Sequence, residues 1–345
     1  MDTIIGIGLT MVGAVFLGVF ALPSKYIRNY GWENTWGAFF LFAMLIVPVG
    51  FAMLVVKDLW ATYADVSWAI IFGVMALSFM WGCGFCCWGY GLSLLGLSIG
   101  YSLTMGTMAL VGSMVPFFLG NSELAGTVPG MVVIAGILVC ILGVGINGYA
   151  GMQREKSLSA AQAARKLPVK NVALGVFICI LAGVLSSGLN IAFHIGNGIG
   201  GIAGKSQDLG NPAWIAGLST WTLVFLGGMV SSVGYSSILL TKNRTWKGFA
   251  VSGSGRNLFL AFLMAAGHFA CIFFYGIGGW KLGKLGTSVG FSIFQCGSLI
   301  LGNGLGIFTG EWKGANARSK SWLLVGLLVL VLGIVVVSYG NAIIP

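Results

Sequence analysis

Residues 3–22 form a run of twenty side chains without a single Asp, Glu, Lys or Arg. As an α-helix rising about 1.5 Å per residue, such a run spans the roughly 30 Å hydrocarbon core of a bilayer. Lipid offers the backbone no hydrogen-bond partner, so a spanning segment must satisfy its own amides, as a helix does. The run recurs at 35–56, 68–91, 97–119, 127–149, 171–198, 213–240, 256–280, 285–309 and 320–342, giving ten candidate spans. Only Arg256 and Lys320, each at an edge, bring a full charge into any of them. Composition agrees: charged residues are 8% of the chain, against about 25% in soluble domains. The 56 glycines sit inside the apolar runs without a collagen period, as expected where helices approach closely in lipid. A soluble enzyme, a secreted disulfide scaffold and a disordered chain are excluded. The expected fold class is an all-α integral membrane protein.

The net charge of +10 matters less than where the bases sit, and their placement between spans excludes a nucleic-acid partner. Connections after odd-numbered spans hold fourteen Lys and Arg, and those after even-numbered spans hold four. The positive-inside rule puts the odd connections in the cytoplasm and both termini outside. The first span is expected to stay attached: Asp2 precedes it, and Lys25 and Arg28 follow it, the reverse of a secretory signal. All seven cysteines lie in apolar runs and read as small hydrophobes. Neither a metal site nor a cofactor is expected.

A shift of 190 residues aligns Leu95–Ala150 with Leu285–Gly340 without a gap, with 15 of 56 positions identical. Gly96, Ser98, Gly100 and Ser102 recur as Gly286, Ser288, Gly290 and Ser292; Gly136, Gly143 and Tyr149 recur as Gly326, Gly333 and Tyr339. The expected organisation is a five-helix repeat over 1–150, a basic cytoplasmic connector over 151–170, helical in part, and a second five-helix repeat over 171–345. An odd number of spans per repeat inverts the second copy. Inverted repeats are a transporter architecture, with the solute near the midplane and the halves rocking around it.

Two motifs of soluble enzymes are set aside. Gly196-Asn-Gly198-Ile-Gly-Gly201 has no strand before it, so it is not a dinucleotide fingerprint. Gly96-x-Ser98-x-Gly100 resembles a nucleophile elbow, but it recurs at Gly286-x-Ser288-x-Gly290. Two copies suggest tight packing by Gly and a Ser near a helix cap. No catalytic residue is expected.

Polar groups at membrane depth are functional candidates. His268, at the centre of the eighth span, is a proton carrier candidate. Asn190 and Gln295 each offer a donor and an acceptor to a hydroxyl; His194, nearer a span end, is weaker. No carboxylate lies at the middle of a span, which leaves Glu33 as the acidic alternative to His268. Trp36, Trp81, Trp88, Trp221, Tyr101 and Tyr275 lie within spans or their first turns. Aromatic faces and uncharged polar groups suit a neutral polyhydroxyl solute, because an anion would need a buried base and a cationic drug a buried acid.

These residues resemble the L-rhamnose–proton symporters of the drug/metabolite transporter superfamily. The likeness covers nearly the whole chain. It lies in Ala21-Leu-Pro23-Ser-Lys25, Trp32-Glu33-x-x-Trp36, Trp81-Gly-x-Gly84, Gly89-Tyr90-Gly91-Leu92, Gly183 to Asn190, Phe273-Phe274-Tyr275 and Gly310-Glu311-Trp312. The resemblance implies a bacterial inner-membrane importer of a 6-deoxyhexose, L-rhamnose or a close relative, driven by protons; a monomer is expected. Lys25, Glu33 and Trp36 match family positions. His268 departs from the aromatic expected there, and Ser288-Val289-Gly290 from a polar, acidic stretch. The expected sugar contacts are Trp36, Trp81, Trp221 and Tyr275 around the ring, and Asn190, His268 and Gln295 on its hydroxyls. Glu33 or His268 carries the proton, with Lys25 modulating Glu33. A facilitator or exporter of another metabolite and a membrane-embedded enzyme are the alternatives.

Overall fold

A computed structural model describes residues 1–95, 97–161 and 172–344, and among them every regular element is helical. The long helices are α1 (Asp2–Val19), α2 (Trp32–Val55), α3 (Trp68–Leu95), α4 (Leu97–Asn121) and α5 (Val128–Ala161). They continue with α6 (Val172–Ile199), α7 (Ala213–Lys242), α8 (Ser254–Leu282), α9 (Gly286–Phe308) and α10 (Ala317–Ala342). Nine segments among the described residues are long and apolar enough to cross a membrane, and the eighth, Ser254–Phe308, runs for 55 residues. A 3₁₀ turn at Gly283–Leu285 divides it into α8 and α9. Gly283 makes the break at φ +76°, a backbone state that only glycine adopts without strain.

Local chemistry explains the irregular turns. Pro48 lacks an N–H and its ring crowds the carbonyl of Met44; α2 responds with a π turn at Phe42–Ile46 just before it. α2 begins at Trp32, three residues earlier than its apolar run suggests, and so takes Glu33 into the helix. α5 runs on to Ala161, so the first part of the basic connector is helix; residues 162–171 lie outside the described residues.

α1 packs on α8 and α9, and α6 packs on α3 and α4. α2 pairs with α7, α4 with α9, and α5 with α10. One face of the bundle carries both chain ends and is called the terminal face. There Lys281 pairs with Asp2 at 2.9 Å, Lys284 with Glu123 at 2.8 Å, and Asn341 Nδ2 donates to the Leu282 carbonyl at 3.1 Å. The opposite, connector face is tied by Asn34 Nδ2 donating to the Thr245 carbonyl at 2.9 Å and Asn257 Nδ2 to the Arg28 carbonyl at 2.7 Å. An Asn beside the start of α7, Asn211, likewise donates to the Lys57 carbonyl at the end of α2, at 2.8 Å. Each of α2 and α7 is thus clamped to the end of the other.

α5 and α10 run antiparallel on glycine contacts. A Cβ at Gly136 would lie 2.5 Å from the Val337 amide nitrogen, and one at Gly143 2.9 Å from Leu330. From the other helix, a Cβ at Gly326 would lie 2.6 Å from the Asn147 amide and one at Gly333 2.6 Å from Cys140 Sγ. Gly143→Leu is therefore expected to destabilise the protein by about 1–3 kcal/mol through overpacking. The check is a lower thermal midpoint in detergent; an unchanged midpoint would contradict this contact.

Candidate functional site

The centre of the bundle is a ring of aromatics around one imidazole. His268 of α8 is 7% exposed. It lies parallel to Trp81 of α3 at 6.3 Å between centroids, and edge-on to Phe20 at 5.3 Å, Phe39 at 5.7 Å and Phe225 at 6.1 Å. Trp81 reaches this position because α7 has glycine opposite it: a Cβ at Gly228 would sit 2.7 Å from the indole. His268 Nδ1 is buried without a hydrogen-bond partner, as are Trp221 Nε1 and Ser78 Oγ. Each such atom costs about 1–3 kcal/mol unless something satisfies it, and a sugar hydroxyl, donor and acceptor together, can.

Aromatic contacts continue from this ring to both faces. Toward the connector face Phe39 meets Trp36 at 5.3 Å, and Trp36 meets Phe85 at 5.9 Å. Beyond them a cleft of about 670 Å³ opens between α2 and α3, lined by Glu33, Trp36, Trp88 and Tyr235 among others. Toward the terminal face Phe225 meets Trp221 at 6.1 Å, and Trp221 stacks on Phe193 at 4.1 Å and 10°. There a cleft of about 410 Å³ lies between α7 and α8, beside the end of α6.

Glu33 is 8% exposed. Its Oε1 accepts from Asn243 Nδ2 at 3.0 Å and Thr245 Oγ1 at 2.8 Å, both just beyond the end of α7. Lys25 is exposed in a 3₁₀ turn, Leu22–Tyr26. The ion pairs among the described residues are Lys281 with Asp2 and Lys284 with Glu123, so the groups holding Glu33 are an amide and a hydroxyl and not Lys25.

Asn190 and Tyr275 lie together, away from His268. Tyr275 donates its hydroxyl to Asn190 Oδ1, while Asn190 Nδ2 donates to the carbonyls of Gly112 at 2.7 Å and Thr287 at 2.8 Å. Ser288 Oγ donates to the Ser113 carbonyl at 2.8 Å, and the Ser113 and Ser292 hydroxyls meet at 2.7 Å. This clasp joins α4, α6, α8 and α9 in the terminal half of the bundle. Ser288 is thus a cross-helix contact and not a cap, because α9 has no side-chain cap. Gln295 is 3% exposed and is drawn into neither the aromatic ring nor the clasp by any hydrogen bond.

The structure joins His268, Trp81, Trp36 and Trp221, which sequence reasoning names only as separate sugar contacts, in one chain of ring contacts. Of the terminal cleft's polar groups sequence reasoning names His194 as a weaker candidate but not Asn197, and it does not foresee the clasp hydrogen bonds of the serines. A hydroxyl one turn from a glycine reads as packing until the facing carbonyl is known. The 190-residue shift, which pairs Gly112 with Gly302 and Tyr101 with Phe291, was the signal available.

The sequence of this chain has relatives. The sequence profile described as L-rhamnose-proton symport protein (RhaT) matches residues 1–343. The L-rhamnose-proton symporter of Pectobacterium atrosepticum is 25% identical over 350 aligned residues, covering 99% of this chain and 98% of that protein. The L-rhamnose-proton symporters of Yersinia pestis and Yersinia pseudotuberculosis are each 27% identical over 346 residues, with 98% of both chains covered. With the profile running along residues 1–343 of 345 and multiple membrane-length helices beneath it, the chain belongs to the L-rhamnose-proton symport protein family, a family of membrane transporters and not of enzymes.

Proposed function

We propose that this protein imports L-rhamnose or a closely related 6-deoxyhexose together with protons, by alternating access. The observation that carries the reading is the pairing of the two clefts. One opens between α2 and α3 at the connector face and the other between α7 and α8 at the terminal face. These helix pairs exchange when the count is shifted by five, and the chain of ring contacts from Trp36 in one cleft to Trp221 in the other passes through His268. A carrier that exposes one site to each side in turn needs such a pair.

The break at Gly283 supports a reading of ten crossings, because 55 residues of continuous helix would be more than twice the length a bilayer needs. The inverted-repeat reading, with halves over 1–150 and 171–345 joined by 151–170, is supported by packing. α1 on α8 and α9 mirrors α6 on α3 and α4. The sequence-equivalent helices α5 and α10 are antiparallel, as inversion requires. In this reading the protein is a monomer of the drug/metabolite transporter superfamily in a bacterial inner membrane, with both termini periplasmic.

Trp81 and Trp221 cover the apolar faces of the sugar, with Trp36 on the path to the connector face. His268 and Gln295 bond hydroxyls. Asn190 and Tyr275 bond each other in this conformation and become available to sugar only when the clasp opens. Glu33 takes the proton: a charge on His268 would sit among four aromatic rings, whereas Glu33 already rests on polar groups at a cleft wall. Lys25 has no part in this assignment.

The test is uptake of labelled L-rhamnose into sealed vesicles. With one proton per sugar, an inward gradient of one pH unit supports about tenfold accumulation, since 1.4 kcal/mol is a factor of ten. A protonophore should abolish it. Uptake indifferent to the gradient would overturn proton coupling, and conversion of the sugar would overturn transport.

A further inference from the structure

We propose that the terminal-face cleft is a loading site for the sugar, separate from the aromatic ring around His268 and occupied before the sugar reaches it. The inference rests on the transport reading above and adds a second binding station, made of residues outside the central ring.

The cleft's volume of about 410 Å³ falls within the range of small-molecule pockets, about 300–1,000 Å³. Trp221 and Phe193, stacked on each other and both buried, close its inner side. Trp214 and Trp280 stand at its mouth. Two polar atoms on residues of its wall are buried without partners in this conformation: Trp221 Nε1, on a side chain 2% exposed, and His194 Nε2, which a Cβ at Gly120 would approach to 3.0 Å. The His194 ring is held by Nδ1 against Thr287 Oγ1 at 2.8 Å. Whichever tautomer results, Nε2 is a donor or an acceptor, and a sugar hydroxyl answers either. Asn197, its Oδ1 accepting from Thr220 Oγ1 at 3.3 Å, has its amide N–H groups left to donate.

Gly276 packs directly on the indole N–H, since a Cβ there would lie 2.8 Å from Trp221 Nε1. The mouth offers no net charge to an ionic ligand, because its Lys284 is paired with Glu123 at 2.8 Å. A neutral hydroxylated ring is the ligand this set fits. Phe225, 6.1 Å from both Trp221 and His268, stands between the two, so sugar held in this cleft is not yet at His268. The equivalent cleft on the connector face carries Glu33 instead of an imidazole, so the two ends of the path are not interchangeable.

The test uses purified full-length protein and oriented proteoliposomes. L-Rhamnose binding is measured by calorimetry, and the half-saturating sugar concentration for exchange is measured from each face. Asn197→Ala and His194→Ala are expected to raise the terminal-face value relative to the connector-face value by about tenfold, the loss of one hydrogen bond. Gly276→Ala should act in the same direction without removing a polar group. A ratio unchanged in all three variants, or both faces weakened equally, would overturn the loading site while leaving transport standing. If the wild type binds L-rhamnose and these variants weaken binding, but no sugar crosses, the loading site stands and the transport reading fails. A wild type that binds no L-rhamnose overturns the loading site.

Discussion

Glu33→Gln is expected to abolish pH-gradient-driven accumulation of L-rhamnose while gradient-free exchange continues. The substitution is close to isosteric. A glutamine carbonyl can still accept from Asn243 Nδ2 and Thr245 Oγ1, which hold Glu33 Oε1 at 3.0 and 2.8 Å. Contacts between the start of α2 and the end of α7 survive, but the titrating proton does not. Accumulation should fall from about tenfold per pH unit to simple equilibration, which a pair of uptake and counterflow measurements separates. Full accumulation by Glu33→Gln, with loss in His268→Ala, would move the proton to the central imidazole. Loss of exchange as well would make Glu33 a structural clamp.

Gly112→Val is expected to reduce uptake by about fivefold or more in protein that still folds. A Cβ at Gly112 would lie 2.8 Å from Phe291 Cδ1. Phe291 has no room to retreat, being fully buried and packed against Tyr275 at 6.0 Å and Phe294 at 6.5 Å. Overpacking of this kind costs about 1–3 kcal/mol, enough to shift a two-state equilibrium by roughly 5- to 150-fold. The cost falls on the conformation in which α4 and α9 close at the terminal half. The 190-residue shift carries Gly112 to Gly302 and Phe291 to Tyr101. That second pair lines an open cavity of about 240 Å³ at the connector side, and a Cβ at Gly302 would meet nothing within 4 Å. The same two-residue contact is thus closed in one place and open in the other, the asymmetry that the proposed alternating access would use. In Gly112→Val, a cysteine introduced as Asn197→Cys should react faster with an impermeant thiol reagent from the terminal face, and in Gly302→Val more slowly. Wild-type uptake and labelling in both variants would remove this gate.

The aromatic chain from Trp36 through His268 to Trp221 was foreseeable, because rings and imidazoles inside uncharged runs have few places to go but the bundle interior. The detailed pairing was not. Asn190 reads from sequence as a sugar ligand, yet it spends its hydrogen bonds on Gly112, Thr287 and Tyr275, partners on three other helices. Lys25 lies eight positions before Glu33, but the chain turns between them and Asn243 and Thr245, more than two hundred residues away, arrive instead. Ser288 looked like a helix start; the carbonyl that uses its hydroxyl belongs to Ser113.

Sequence alone decided the helical class, the membrane solvent and the approximate helix ends, because uncharged runs of this length in lipid leave the backbone only its own carbonyls to bond. It also carried the equivalence of α4–α5 with α9–α10, since a repeated spacing of small residues survives as spacing. Only the tertiary structure decided which polar side chains are spent on neighbouring helices and which are left facing a cleft. Such partners come from distant parts of the chain, and a hydrogen bond depends on distance and angle in space, which no local pattern encodes.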